Sequence, residues 1–343
     1  MSKIYFLEIK NKSDEILEDA GKRISEVFSD FFKQEDKVGI KVHFGEEGST
    51  THLSPIFVKS VYHILKDKVK KTSLVECSVL YKGKRSFASS HKKLAEEHGF
   101  TFAPIDFLDG EKGDKDIEIE INKKHFKKVK IGKGIENFNA LLAISHFTGH
   151  GGTGYGAAVK NIGMGLGSKA GKLEMHKAFN LEVDENLCIG CGSCAEECPS
   201  GAISLDTGKA KIDRLKCIGC GKCISECPYD AIKIPWGDES AKELQEKIAE
   251  YACGVLKGRK TYFVNVLLDI TENCDCFRGK QKPIIPDIGI LASDDIVAID
   301  KASLDLVDVD ERLTERTGID GMIQVNYASK LGLGEKEYEI VRL

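Results

Sequence analysis

Eight of the chain's twelve cysteines fall within 40 residues, in two runs of one pattern: CIGCGSCAEECP at 188–199 and CIGCGKCISECP at 217–228. Each run reads C-x2-C-x2-C-x3-C-P. Thiolates spaced by two residues on a tight loop can be aimed, with backbone N–H groups, at one corner of a [4Fe-4S] cubane. Gly190, Gly192, Gly219 and Gly221 give such loops the backbone freedom they need. Four-cysteine zinc sites also use C-x2-C pairs. They seldom add a third cysteine at the same interval and a Cys-Pro three residues on. Nor do they repeat the unit with matched tails, as Pro199-Ser200-Gly201-Ala202-Ile203 and Pro228-Tyr229-Asp230-Ala231-Ile232 do here. Clusters therefore account for these cysteines better than zinc, and better than the disulfides of a small secreted protein.

Residues from about 182 to 236 closely resemble a bacterial two-cluster ferredoxin, with no ligand position departing from its pattern. In that arrangement the first three cysteines of a run hold one cluster and the fourth holds the other. The expected sets are Cys188, Cys191, Cys194 and Cys227 for one cluster, and Cys217, Cys220, Cys223 and Cys198 for the second. The resemblance implies closely spaced, low-potential clusters that exchange electrons with each other and with a redox protein donor or acceptor.

A second concentration of chemistry is SHFTGHGGTGYGAAVKNIGMGLGSKAGKLEMHK at 145–177, with nine glycines between 149 and 171. Glycine at that density is unexpected in a packed core. It suits a loop whose backbone N–H groups approach an anionic ligand. Gly152, Gly154 and Gly156 are the expected contacts, although the order matches neither G-x-G-x-x-G nor the Walker pattern. His146 and His150 precede the glycines, Lys160 lies among them and His176 follows. Histidine can shuttle protons or bind metal, and lysine can hold a carboxylate or phosphate. His150, Lys160 and His146 are the catalytic candidates, and Lys160 and His176 the cofactor-binding ones. The competing reading is a loop that merely turns tightly.

Other side chains are weaker candidates. Cys274-Asp275-Cys276 could bind a metal or take part in redox chemistry, with Asp287, Asp294 and Asp295 in the next loops. Cys77, beside Glu76 and near Tyr81, Lys84 and Arg85, reads as structural, as does Cys253 in a helix. His43 and His52 flank a loop that could sit over strand C-termini.

Elements that must position these groups alternate along the chain. Strand-like apolar runs occur at 38–44, 73–77 and 140–146, with helical spacing after Ser13 and after Ser54-Pro55. Beyond the cysteines, a helix is expected over 239–257 and a strand over 261–269. The pattern predicts an α/β core with largely parallel sheets and flanking helices, carrying an inserted α+β ferredoxin-like unit. The expected divisions are 1–180, 181–237 and 238–343.

Composition sets outer bounds. The 343 residues are 41% hydrophobic and 30% charged, with net charge −4, which suits a folded globular protein and gives no field for nucleic acid. The basic run at 123–128 reads as a solvated turn. The N-terminus lacks an export signal, and the apolar runs are too short to span a bilayer, so a cytosolic protein without membrane attachment is expected.

Three segments together resemble the family of uncharacterised iron-sulfur-centre proteins, which combine domain of unknown function 362 with an inserted two-cluster ferredoxin. They are TGHGGTGYGAAVKNIGMGLG, ECSVLYKGKRSFASSHKKLAEEHGF at 76–100 and PDIGILASDDIVAIDKASLDLV at 286–307. A fainter similarity is to nickel-pincer lactate racemase, in which a catalytic histidine, a cofactor-binding lysine and a metal-ligating histidine are spaced by ten and sixteen residues. His150, Lys160 and His176 have those intervals, which implies a cofactor or metal pocket. The sequence thus predicts an iron-sulfur protein relaying electrons to or from a pocket in the α/β core for a small anionic ligand, a further metal or a small cofactor. The rivals are a non-enzymatic carrier and a metal-cofactor enzyme with structural clusters.

Overall fold

Ala140–His146 is buried at every position, the pattern of a strand covered on both faces of a sheet. The computed structural model describes residues 1–176, 181–205, 208–234, 240–308 and 312–343. Its central sheet has eight strands: β1 (Ser2–Glu8), β2 (Lys37–Lys41), β3 (Lys71–Glu76), β4 (Ile105–Phe107), β7 (Ala140–His146), β14 (Lys260–Leu267), β15 (Gly289–Ser293) and β16 (Tyr338–Arg342). Their order is β16-β1-β15-β14-β7-β2-β3-β4. Every neighbouring pair is parallel except the two made by β15, which runs antiparallel to β1 and β14. The core is thus mixed α/β with a mostly parallel sheet.

Side chains alternate across that sheet. On β7, Leu141 and Ala143 enter one core, with Tyr251, Ile248 and Val297, while Ala140, Leu142 and Ile144 enter the other, with Ile24, Phe57 and Val61. The first face is covered by α4 (Ala158–Leu166), α8 (Ala241–Leu256), α9 (Ile296–Val307) and α11 (Met322–Lys330), the second by α1 (Asp14–Val27) and α2 (Pro55–Lys66). As the sequence predicts, Ser13 caps α1 by accepting from Ile16 N at 3.3 Å. Ser54 precedes Pro55 at the start of α2 but makes no side-chain cap bond.

α3 (Ala88–Glu97) and α10 (Arg312–Thr317) complete the flanking helices, and β8 (Thr148–His150) pairs with β9 (Gly154–Gly156). The basic run tips the hairpin of β5 (Asp116–Glu120) and β6 (Lys128–Gly132). It is not simply solvated: His125 Nε2 lies 2.7 Å from Glu246, and the His125 and Phe126 N–H groups donate to Glu250, fastening the tip to α8.

After α5 (Lys169–Met175) the chain leaves the sheet and returns at α8. Between them lie β10 (Glu182–Val183), β11 (Ile203–Ser204), β12 (Lys211–Ile212), β13 (Ile232–Lys233), α6 (Ser193–Glu196) and α7 (Lys222–Glu226). β10 pairs with β13 and β11 with β12, giving two small ribbons around a separate apolar cluster that contains Cys188, Cys194, Cys223 and Cys227. The expected divisions after 180 and after 237 fall on residues 177–180 and 235–239, outside the described residues. Among the described residues no helix is long and apolar enough to cross a membrane.

Candidate functional site

Parallel strands deliver their C-terminal ends to one side of a sheet, where open α/β folds place their ligand crevices. Here β2, β3, β7 and β14 end at Lys41, Glu76, His146 and Leu267. Above them lies a cavity of about 520 Å³ whose wall includes His43, Glu76, Arg85, His146, His150, Lys160, His176, Asp275 and Leu244. The structure therefore brings together His150, Lys160 and His176, and adds His43.

The floor is a buried charge network. Lys41 Nζ donates to Glu76 at 3.0 Å, to Asn161 at 2.6 Å and to the Val42 carbonyl at 2.9 Å. Burial pulls the Lys41 pKa down, with Glu76 opposing. Arg85, 3% exposed, donates to His91 Nε2 at 3.1 Å and to Tyr81 at 3.2 Å, and Tyr81 donates to Glu46 at 2.9 Å. Asn161 in α4 ties the floor to β7 through the Ile144 carbonyl and Ser145.

Above the floor the titratable groups fall into distinct states. His146 Nδ1 lies 2.9 Å from Asp275 and Nε2 lies 2.7 Å from the Leu268 carbonyl. Burial disfavours its charge, but Asp275 and that carbonyl outweigh burial and raise its pKa. With an acceptor at each nitrogen, His146 is an imidazolium that anchors Asp275, and neither nitrogen is left for catalysis. His150 is the opposite case: burial, then Lys160 and His176, hold it neutral, well below the usual histidine range. Its Nδ1 meets both the Gly152 N–H at 3.1 Å and Thr153 Oγ1 at 2.9 Å. His43 accepts the Gly45 N–H on Nδ1 at 3.1 Å, which leaves the proton on Nε2; burial and then Arg85 hold this ring neutral too. Lys160 has no hydrogen-bond partner among the described residues. Burial lowers its pKa to about 8, with Asp275 opposing and Arg85 and Lys41 reinforcing.

The glycines divide differently from expectation. Gly152 and Gly156 line the cavity, but Gly154 does not. Gly154 has φ +76°, and a Cβ there would stand 2.7 Å from the Ile319 carbonyl oxygen, so it serves packing. Most of the remaining glycine-rich stretch is helical, contrary to the expectation that a core would not use it. A Cβ on Gly163 would approach the Ile248 oxygen to 2.2 Å, and one on Gly171 the Lys130 oxygen to 2.3 Å. These glycines let α4 and α5 press backbone-close to their neighbours. The helix N-terminus that could have held a ligand anion is filled from within: Asp300 accepts from Ala158 N at 2.8 Å and Val159 N at 3.0 Å. Burial pushes the Asp300 pKa up to about 6 against those bonds.

Of the weaker candidates, Cys274 and Cys276 line the cavity and are joined as a disulfide. Cys77 also borders it, but its buried thiol lies 3.6 Å from the Leu166 oxygen and burial pushes its pKa far up, consistent with a structural part. Cys253 is half-buried in α8. His52 stacks on His98 at 4.4 Å and does not line the cavity. Asp295 caps α9, Asp287 accepts from Asp269 N, and Asp294 is exposed. Lys41, Glu46 and Asp300 escaped sequence reasoning because their partners lie far away in the chain.

In the cysteine-rich unit, Cys188, Cys191, Cys194 and Cys227 line one small cavity. Burial raises the pKa of Cys220 and Cys223, and the neighbouring sulfurs that add to the effect include Cys198 and Cys217 for both. Gly190, Gly192, Gly219 and Gly221 have φ of 71°, 87°, 67° and 69°. Backbone N–H groups of Ala202, Ala210 and Ala231 reach Cys198, Cys188 and Cys227 sulfurs at 3.3, 3.4 and 3.2 Å. Sulfurs on glycine-shaped loops with N–H donors fit iron-sulfur ligation. The unit docks on the core through Lys169 Nζ to Ser225 at 2.7 Å, Lys112 to Glu197 at 2.8 Å and Lys222 to Asp114 at 3.6 Å.

Fold and site together define an α/β protein with a charged cavity at its strand C-termini and a cysteine-rich unit docked beside it. The chain belongs to the family described as Domain of unknown function (DUF362), whose model matches residues 38–305. Over 33 residues, 9% of this chain, it is 58% identical to a "Probable ferredoxin" of Methanosarcina thermophila and covers 57% of that protein. This match, with the cysteine pattern, supports iron-sulfur binding. Among solved structures it is similar to a Thermotoga maritima protein at TM-score 0.45 and 10% identity, covering 95% of this chain and 61% of the other. It is also similar to lactate racemase apoprotein from Thermoanaerobacterium thermosaccharolyticum at TM-score 0.41 and 13% identity, covering 77% and 51%. The chain thus spans between half and two thirds of the length of each of these relatives.

Proposed function

We propose that this chain is an iron-sulfur redox protein. In this reading the unit at 181–237 holds two [4Fe-4S] clusters and passes electrons to or from an anionic ligand or small cofactor in the core cavity. The first cluster falls to Cys188, Cys191, Cys194 and Cys227, the second to Cys217, Cys220, Cys223 and Cys198. The clusters supply single electrons. The observation that supports the relay is Leu80, which lines the cavity and also belongs to the apolar cluster containing Cys223. Its Cδ1 lies 2.9 Å from where a Cβ on Gly221 would stand. The wall between the second cysteine run and the cavity is one side chain thick.

The core's own residues act on the ligand. Lys160 offers an unpartnered amine, and Arg85 and Lys172 add positive charge to the wall, against Glu76 and an Asp275 already paired with His146. That balance favours an anion. His43, with its proton on Nε2, can donate to the ligand, and the imidazolium of His146 keeps Asp275 in place. Purified anaerobically, the protein should contain about eight irons and eight labile sulfides per chain, with a reducible absorbance near ~400 nm. Stoichiometric zinc without sulfide would overturn the reading.

A second reading, an electron carrier that docks a redox protein, is favoured by the surface of the cysteine-rich unit. Among the described residues, five of the ten exposed large hydrophobic ones, Leu187, Ile189, Leu215, Ile218 and Tyr229, lie there. Lys160→Ala separates the two: a carrier keeps its electron-transfer rate with a docked partner, whereas a cavity enzyme loses its bound anion.

A further inference from the structure

We propose that His150, Cys274 and Cys276 form a metal site in the cavity. Once the Cys274–Cys276 bond is opened, two thiolates and one imidazole bind a thiolate-preferring divalent ion of the zinc type. One donor atom from each residue already lies within 4.8 Å of the other two. Tetrahedral zinc needs its sulfur and nitrogen ligands roughly 3.5–3.8 Å apart, from bond lengths of about 2.0–2.3 Å, so the donors are close to place once the sulfurs separate. Two cysteines and a histidine leave the fourth position open, as in catalytic rather than closed structural sites. All three donor residues line the cavity shared with Lys160 and His176.

Surrounding structure holds the donors in register. Gly149 N donates to the Thr271 oxygen at 2.8 Å, tying the strand that ends in His150 to the loop that carries the cysteines. A Cβ on Gly149 would stand 2.2 Å from the Glu272 oxygen, so the approach admits no side chain. Thr153 Oγ1 gives its hydrogen to the Tyr155 oxygen at 2.7 Å and stands 2.9 Å from His150 Nδ1, which accepts the Gly152 N–H at 3.1 Å, so the ring is held in one orientation. Asp275, between the cysteines, is held by His146 and does not compete as a ligand. Two thiolates also neutralise a dication, so occupancy adds no net charge to a cationic wall.

Opening the bond takes two electrons and two protons, which convert the disulfide to two thiols; metal binding then releases both protons. The electrons come from a phosphine-class reductant in the test, and the site depends on the cavity but not on the clusters. Cluster-loaded protein, with its iron and sulfide assayed, is reduced, given zinc chloride, desalted and measured for zinc content and zinc X-ray absorption. About one zinc per chain with two sulfur and two nitrogen or oxygen neighbours is expected, with iron unchanged. Cys276→Ser and His150→Ala should each weaken zinc binding at least tenfold, and the Cys274→Ser/Cys276→Ser variant should hold none. No zinc on the reduced parent, zinc retained by the double variant, or a four-sulfur zinc shell would each overturn the site. A four-sulfur shell with low iron would overturn the site and show in addition that the cluster ligands had taken the metal, the failure of the cluster reading. The parent's absorption spectrum decides the matter even if a variant does not fold.

Discussion

Replacing Lys160 by Met should make the protein more stable at neutral pH while removing its affinity for anions. Lys160 is a half-buried amine without a hydrogen-bond acceptor among the described residues, and desolvation, opposed by Asp275 and reinforced by Arg85 and Lys41, brings its pKa down from 10.5 to about 8. The folded chain then binds fewer protons than the unfolded chain between pH 8 and 10.5, so stability rises with pH across that window. Below it the full cost of the buried ammonium is present. At about 1.4 kcal/mol per pH unit the displacement corresponds to ~3 kcal/mol, and screening by cavity water reduces it to ~2 kcal/mol. Methionine keeps the length and flexibility of the chain without the charge. The expected gain is ~2 kcal/mol at pH 7, or ~3 °C in melting temperature for a chain of this size, shrinking as pH rises through the window. Lys169, whose pKa burial also lowers to about 8, is present in both proteins and cancels. Anaerobic calorimetry at several pH values, with iron content checked, makes the measurement. A Lys160→Met protein that is equally stable, less stable, or stabilised by the same amount at every pH refutes the reasoning.

Asp300→Ala strips the acceptor from the first turn of α4 and from Asn265, and should cost about 2–4 kcal/mol in denaturant unfolding. In the parent, burial holds the pKa of Asp109 and Asp300 up at about 6, above the unfolded 3.8, so their contribution to stability should fall as pH rises through that interval. Gly163→Ala forces a Cβ to within 2.2 Å of the Ile248 oxygen and should destabilise by about 2 kcal/mol or more, whereas Gly151→Ala, with nothing within 4 Å, should stay within ~0.5 kcal/mol. Cys227→Ser should halve iron and sulfide and spare the cluster removed by Cys223→Ser; electron paramagnetic resonance showing the same cluster lost in both variants contradicts the crossed ligand sets.

Local patterns were readable because local physics decides them. The cysteine spacing and loop glycines determine a ligand loop within a dozen residues, and Ser13 with its acidic first turn starts α1 wherever the helix packs. The run at 140–146 announces its buried strand through five consecutive apolar residues, Ala140 to Ile144. His150, Lys160 and His176 were legible as a group because one glycine-rich segment carries all three. Lys41 and Glu76 were not, since each looks like an ordinary polar strand residue until it meets a partner 35 positions away. Asp300 offered a signal that could have been used: an acid directly after Ile296-Val297-Ala298-Ile299, three and four residues from Val297, Ile296 and Leu304, falls on the apolar face of a helix and must be satisfied internally. The glycines misled because one residue type serves two needs. Freedom at a ligand loop and absence of a Cβ between packed helices look alike until the facing atoms are known.

The junction between cavity and cysteine-rich unit bears on how a relay could work. Lys112 and Lys222 pair with Glu197 and Asp114 at a partly exposed rim, where ion pairs contribute little net stability. More is held behind them. Lys169 is fully buried, its amine 2.7 Å from Ser225 Oγ and 5.1 Å from the Phe87 ring centre. Leu80 and Leu173 join the unit's own apolar cluster. A swinging carrier would have to expose those leucines and strand that amine on each excursion, and a buried polar group left unpaired costs about 1–3 kcal/mol, more when charged. The cavity wall and the second cysteine run therefore stay in fixed register. In the proposed relay, electrons would cross at Leu80 without domain motion, and a large movement would fall to whatever meets the exposed apolar face of the unit.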